Sequence, residues 1–218
     1  MAKRARLKAK MSSRRRRPTL LYEKKARAKG HKVIAGVDES GVGPLAGPLV
    51  AAAVIIGDFR FKNRIDDSKK LTPKSRLAAY EEIIEKSSYS ISVIAEDVID
   101  RLNVYNATRR AMEEAVNNLK TAPDYILIDG TIKLSIAYNG ESIKRGDGRS
   151  LSIACASILA KVTRDRIMDG LHNRYPQYGF KHNRGYGTAF HFKAIRRYGP
   201  SPIHRVTFEP VKSLIKES

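Results

Sequence analysis

Two short apolar runs rich in β-branched residues, at 32–37 (KVIAGV) and 48–57 (PLVAAAVIIG), constrain this chain more than any other feature. Runs of that length and composition read as buried strands. Residues 38–47 between them carry Gly41, Gly43, Pro44 and Gly47, which marks a turn joining the two strands into a hairpin. A helix follows from a Thr72-Pro73 start to about Lys86, then a third strand at 88–95. Residues 103–119 are expected to be helical, with Asn103 as cap and Val104, Met112, Ala115, Val116 and Leu119 on the inner face. A fourth strand is expected at 125–129 and a weaker strand pair around 133–144. Residues 151–169 repeat Ala154, Cys155, Ile158, Leu159 and Val162 at helical spacing. Two hairpin strands followed by helices alternating with strands make an α/β fold, a mixed sheet flanked by helices. From Tyr175 onward, scattered glycine, proline and aromatic residues and one helix near 188–198 describe an appendage packed on the same domain.

Charge narrows the partner. The chain carries 42 Lys and Arg against 22 Asp and Glu, a formal net charge of +20, which favours a polyanion, nucleic acid first. Thirteen of those basic residues fall in residues 1–30 against Glu23 alone. This stretch is expected to be a largely disordered basic extension adding salt-sensitive phosphate attraction. It also resembles an organelle transit peptide, and it lacks the apolar stretch of a secretory signal. No run approaches the length of a membrane helix. The one cysteine, Cys155, excludes an internal disulfide framework and a Cys-rich zinc site and suits a reducing compartment, with the cytoplasm as the simplest location.

Four acids stand where a strand or glycine turn ends, the usual address of site residues in α/β sheets. Asp38 and Glu39 follow the first strand, Asp129 ends the fourth, and Asp147 lies in Gly146-Asp147-Gly148. Neighbouring strand residues point to opposite faces, so aiming Asp38 and Glu39 at one spot requires a backbone that leaves strand geometry, a freedom Gly41 and Gly43 supply. Clustered carboxylates repel and need cations to neutralise them. Oxygen ligands without His or Cys suit Mg²⁺ or Mn²⁺ over zinc. Two such ions would activate water and stabilise the leaving oxygen of a phosphodiester.

The segments GVDESGVGPLAGP (36–48), DSKKL (67–71), IDG (128–130), GD (146–147), SILAKVTRD (157–165), GYGT (185–188) and GPSPIHR (199–205) together resemble ribonuclease HII, in order from about residue 20 to 211. The resemblance implies a ribonuclease H-like sheet with surrounding helices and a C-terminal helical appendage that helps hold the duplex. It implies a catalytic domain at 31–170 and the appendage at 171–218. By motif match, Asp38, Glu39, Asp129 and Asp147 hold the catalytic Mg²⁺ or Mn²⁺. Backbone groups of Gly41, Val42 and Gly43 read the ribose 2′-hydroxyl, Tyr186 stacks on the sugar at the RNA–DNA junction, and Lys69 and Lys70 hold phosphates. The implied substrates are RNA–DNA hybrids and duplex DNA with embedded ribonucleotides, cut 5′ of the ribonucleotide to leave 3′-hydroxyl and 5′-phosphate ends. A monomer is expected, and the sequence leaves open whether there is a clamp partner.

The chain departs from the family pattern at Val42 and Val206, where arginine is usual, and at Cys155, where alanine is usual. A phosphate contact is lost at Val42 and another cation at Val206, and no catalytic carboxylate is touched. A noncatalytic nucleic-acid-binding protein would explain the charge equally well, but not four acids at glycine turns, which repel phosphate unless a cation is bound. A nuclease of the same fold acting on DNA alone is disfavoured by the glycine turn and Tyr186.

Overall fold

The computed structural model describes residues 17–57 and 60–216. The first element is a helix, α1 (Leu21–Ala28), placed within the stretch expected to be a disordered extension. That expectation is corrected for residues 17–30, and its remainder, residues 1–16, lies outside the described residues. Order here comes from one buried acid and an apolar edge. Glu23 is 3% exposed, and Tyr22 and Ala26 pack with Ile34, Tyr125, Leu127 and Ile153.

The sheet has five strands: β1 (Ile34–Ser40), β2 (Leu49–Ile55), β3 (Ser88–Ile94), β4 (Tyr125–Asp129) and β5 (Gly140–Ile143). Their order is β3-β2-β1-β4-β5. β1 pairs antiparallel with β2, and β2 with β3, while β4 runs parallel to β1 and β5 parallel to β4. The expected mixed sheet is thus present. The weak strand pair expected at 133–144 is instead the single strand β5. Ile132, Leu134, Ile136 and Tyr138 of its lead-in pack against the core beneath the sheet, so this stretch covers apolar surface as a crossover helix would.

Continuous hydrophobicity in β2 follows from its central place, since both of its faces are covered. Val50, Ala52 and Val54 face a cluster with Ala79 and Ile83 of α2 (Pro73–Lys86) and with Ala154, Ile158 and Leu159. Leu49, Ala51 and Ala53 face the other way, onto Ile99 of α3 (Glu96–Leu102) and Ala107, Met112 and Val116 of α4 (Val104–Asn117). Helix α4 is capped as expected, with the Asn103 side chain accepting from Asn106 N–H at 3.1 Å. The long helix α5 (Leu151–Arg174) runs past its expected end at 169. It crosses β1 at Gly36, where an added β-carbon would stand 2.2 Å from the Ser152 carbonyl carbon. Only glycine permits that approach, and it brings the two carboxylate-bearing segments of the fold together.

The appendage comprises α6 (Phe180–Asn183), α7 (Ala189–Tyr198) and α8 (Val211–Lys216). Its core takes in Leu45 and Ala46 of the glycine turn, beside Met168, Tyr178, Phe180 and Ile195. Among the described residues, no helix is long and apolar enough to cross a membrane.

Candidate active site

The acids predicted from the sequence line one cleft of about 150 Å³ at the carboxyl ends of β1 and β4. Asp38, Glu39, Asp129 and Asp147 share it with Gly41, Val42, Gly43, Lys69 and Tyr186. Ser68, Ser157 and Lys161 line it too; they fall in the DSKKL and SILAKVTRD segments, from which no role was read for them. Lys70 does not line this cleft. It stands in an adjoining basic groove with Lys144, Arg145 and Arg149, 3.4 Å from Asp67.

The strand geometry at Asp38 and Glu39 differs from expectation. Both stay in the ladder with β2, opposite Ala52 and Ala51, and the chain leaves the strand only after Ser40. Parallel pairing with β4 ends at Val37 and Ile128, so that edge of β1 opens onto the cleft. The freedom of the glycines serves the next turn instead. Gly41 has φ +106°, and an added β-carbon there would meet Arg164 Nε at 2.4 Å and the Pro48 carbonyl at 2.7 Å.

Backbone donors hold the acids in place. Asp38 accepts from Glu39 N–H at 2.8 Å. Asp129 accepts from Gly146 N–H, and from Asp147 N–H at 3.4 Å, which ties the end of β4 to the turn carrying Asp147. Ser150 caps α5, and Glu23 from α1 binds both ends of this start: it accepts from Ser150 Oγ at 2.7 Å and from Ser152 N–H at 2.9 Å.

The electrostatics are those of negative charge held against its preference. Burial pushes the Asp38 carboxyl well above its usual range, with Glu39 and Asp129 adding repulsion. Glu39 is raised to about 7 by burial and then by Asp129, with Lys69 opposing. Asp147 is raised by burial and by Asp67 and Asp129. An all-oxygen donor set of this kind suits a hard divalent cation. Among the described residues, no three acid, histidine or cysteine side chains already converge into a closed ion cage, since Asp38 and Asp129 turn toward backbone N–H groups. The far wall is aromatic: Tyr186 is 47% exposed, and a β-carbon added at Gly43 would lie 3.7 Å from its ring.

Residues 35–211 match the family model described as Ribonuclease HII. The chain belongs to the ribonuclease HII family. Ribonuclease HII of Geotalea daltonii is 49% identical over 203 residues, which cover 92% of this chain and 94% of that protein. Ribonuclease HII of Enterococcus faecalis is 48% identical over 195 residues, covering 89% and 76%. The crystal structure of ribonuclease H2 from Pyrococcus horikoshii superposes with a TM-score of 0.74 at 26% identity, over 85% of this chain and 98% of that one. Family membership makes this protein an enzyme, a ribonuclease H with the ribonuclease H fold. Of its departures from the family pattern, Val42 is 37% and Val206 46% exposed, whereas Cys155 is buried in α5 against the sheet.

Proposed function

We propose that this enzyme hydrolyses the RNA strand of RNA–DNA hybrids and cuts 5′ of single ribonucleotides embedded in duplex DNA. The products are 3′-hydroxyl and 5′-phosphate ends. One observation carries the reading: four acids, three of them with raised carboxyl pKa values, share a cleft with the glycine turn and the half-exposed Tyr186. Asp38, Glu39, Asp129 and Asp147 would hold two Mg²⁺ or Mn²⁺ ions, because a cation offsets the burial and repulsion that raise the carboxyls of Asp38, Glu39 and Asp147. Bound there, the ions supply positive charge to the attacking and leaving oxygens of the phosphodiester.

The remaining roles belong to the protein. Backbone groups of Gly41, Val42 and Gly43 approach the sugar closely enough to read the 2′-hydroxyl, the group that separates RNA from DNA. Tyr186 stacks on the junction sugar. Lys69 in the cleft and Lys70 in the adjoining groove hold phosphates, which position the duplex without reading its sequence. The enzyme acts as a cytoplasmic monomer.

Gel-resolved cleavage of a DNA duplex containing one ribonucleotide, with Mg²⁺, Mn²⁺ or EDTA and an all-DNA control, tests this. Cleavage 5′ of the ribonucleotide that requires the metal and spares the control is expected, and Asp38→Asn or Asp129→Asn should abolish turnover while leaving binding nearly intact. Tight binding without metal-dependent cleavage of this substrate would overturn the proposed substrate and the assignment of the four acids.

A further inference from the structure

Residues 201–205 of the appendage reach both substrate-reading elements. Arg205 is fully buried, and all of its polar contacts below go to carbonyl oxygens of the glycine turn. Its Nη2 donates to Gly41 O at 2.6 Å and Gly47 O at 2.8 Å, its Nε to Gly47 O at 3.1 Å, and its Nη1 to Val42 O at 3.1 Å. Glu96 and Asp100 act on it through charge at longer range, while its hydrogen bonds go to the carbonyls. The backbone repeats the link, with Gly47 N–H donating to Ile203 O and Arg205 N–H to Leu45 O.

The preceding residue reaches the other element. His204 and His191 are buried side by side with their Nε2 atoms 3.0 Å apart, and His191 Nδ1 lies 2.9 Å from the Tyr186 carbonyl. A carbonyl only accepts, so His191 carries its proton on Nδ1. Its Nε2 then accepts, and His204 Nε2 donates to it. That leaves His204 Nδ1 to accept from Ser201 N–H at 2.9 Å and Ser201 Oγ–H at 2.8 Å. The longer 3.3 Å approach of Ser201 O to the same nitrogen carries no proton in this arrangement. Burial lowers both imidazoles, His204 to about 4, so the relay stays neutral and unidirectional at pH 7.

We propose that residues 201–205 form a brace that sets the two RNA-reading elements in register, with Arg205 fixing the glycine-turn carbonyls and His204, through His191, fixing the Tyr186 backbone. The inference rests on the proposed roles of the turn and Tyr186. His204, His191 and Arg205 are positioning residues and touch no substrate. A single dipeptide therefore holds both the wall that stacks on the sugar and the turn that reads its hydroxyl, one through each residue. Losing either arm loosens recognition and leaves the carboxylates where they are.

A double-mutant cycle on the full-length enzyme tests this, with kcat/KM measured on duplex DNA containing one ribonucleotide. Tyr186→Ala is expected to cost about tenfold, in the range of a lost aromatic stack. His204→Phe, which keeps ring volume and removes the relay, is expected to cost a similar factor alone and about twofold or less beside Tyr186→Ala. His204→Gln, which restores an N–H near the lost Nε2, should recover most of the loss. Arg205→Lys acts through the turn, so its loss should persist beside Tyr186→Ala, with Mn²⁺ affinity unchanged. Equal losses from His204→Phe in both backgrounds, or no rescue by His204→Gln, would overturn the brace while leaving Tyr186 as a reader. Full activity in Tyr186→Ala would overturn the reader role, and the brace with it. If His204→Phe does not fold by circular dichroism, His191→Gln enters the same cycle, since it removes the Nδ1 donor to Tyr186.

Discussion

Replacing Glu39 with glutamine should stabilise the metal-free protein while destroying its activity. In the folded chain the Glu39 carboxyl titrates at about 7 against an ordinary 4.5, chiefly through burial and then through Asp129. A raised acid sets the sign: below about pH 4.5 both folded and unfolded chains hold the proton and folding loses nothing. As pH rises toward 7 the unfolded chain gives up a proton that the folded chain retains, so stability falls across that window. At about 1.4 kcal/mol per unit the loss has a ceiling of about 3 kcal/mol. Partial exposure of Glu39 and a titration shared with its neighbour Asp38 bring it to about 1–2 kcal/mol. Glutamine carries no charge to penalise. Thermal melts in EDTA should show the variant above the parent by about 2–8 °C near pH 8, with little difference near pH 4.5. Mg²⁺ should raise the parent's melting temperature more than the variant's. A variant less stable than the parent near pH 8, or an equal gap at both pH values, would refute the reasoning.

Three further outcomes follow from particular contacts. Gly41→Ala forces a β-carbon to within 2.4 Å of Arg164 Nε and should cost about 1–3 kcal/mol in urea melts, with loss of cleavage. Glu23→Ala strips the partners of Ser150 Oγ and Ser152 N–H at the start of α5. Denaturant titration should show a loss of about 1–3 kcal/mol, together with slower cleavage because Asp147 precedes that start. Val42→Arg adds a cation at an exposed tip of the turn. Fluorescence anisotropy should show tighter duplex binding at low salt and a log–log salt slope steeper by about one.

What the sequence disclosed follows the periodicities. The strands at 34–40 and 49–55 and the helix from 151 were legible because buried backbone elements demand apolar residues at fixed spacing. That four acids would share one cleft could be read from their places beside a glycine or at a strand end. Glu23 was not, because one buried acid among thirteen basic residues looks like one more surface charge. Arg164 and Arg205 stood in quoted segments, but their role was hidden: a guanidinium that satisfies carbonyls 116 and 164 residues away shows no local sign of those partners. The place of β5 was likewise set by distant pairing, since Ile126 and Ile128 of β4 select its register.

The parallel ladder between β1 and β4 also governs when the enzyme becomes an enzyme. The hairpin of β1 and β2 and its neighbour β3 pair in chain order, but Ile34 meets Tyr125 only after 90 intervening residues have been laid down and packed. Closing so long a loop belongs to the slow part of folding. Asp38 therefore gains Asp129 as a neighbour only once β4 has paired with β1. With the acids in the role proposed for them, a nascent or partly unfolded chain holds them apart and has no centre with which to cut a nucleic acid it touches, so the topology itself restrains the nuclease until β1 and β4 have paired.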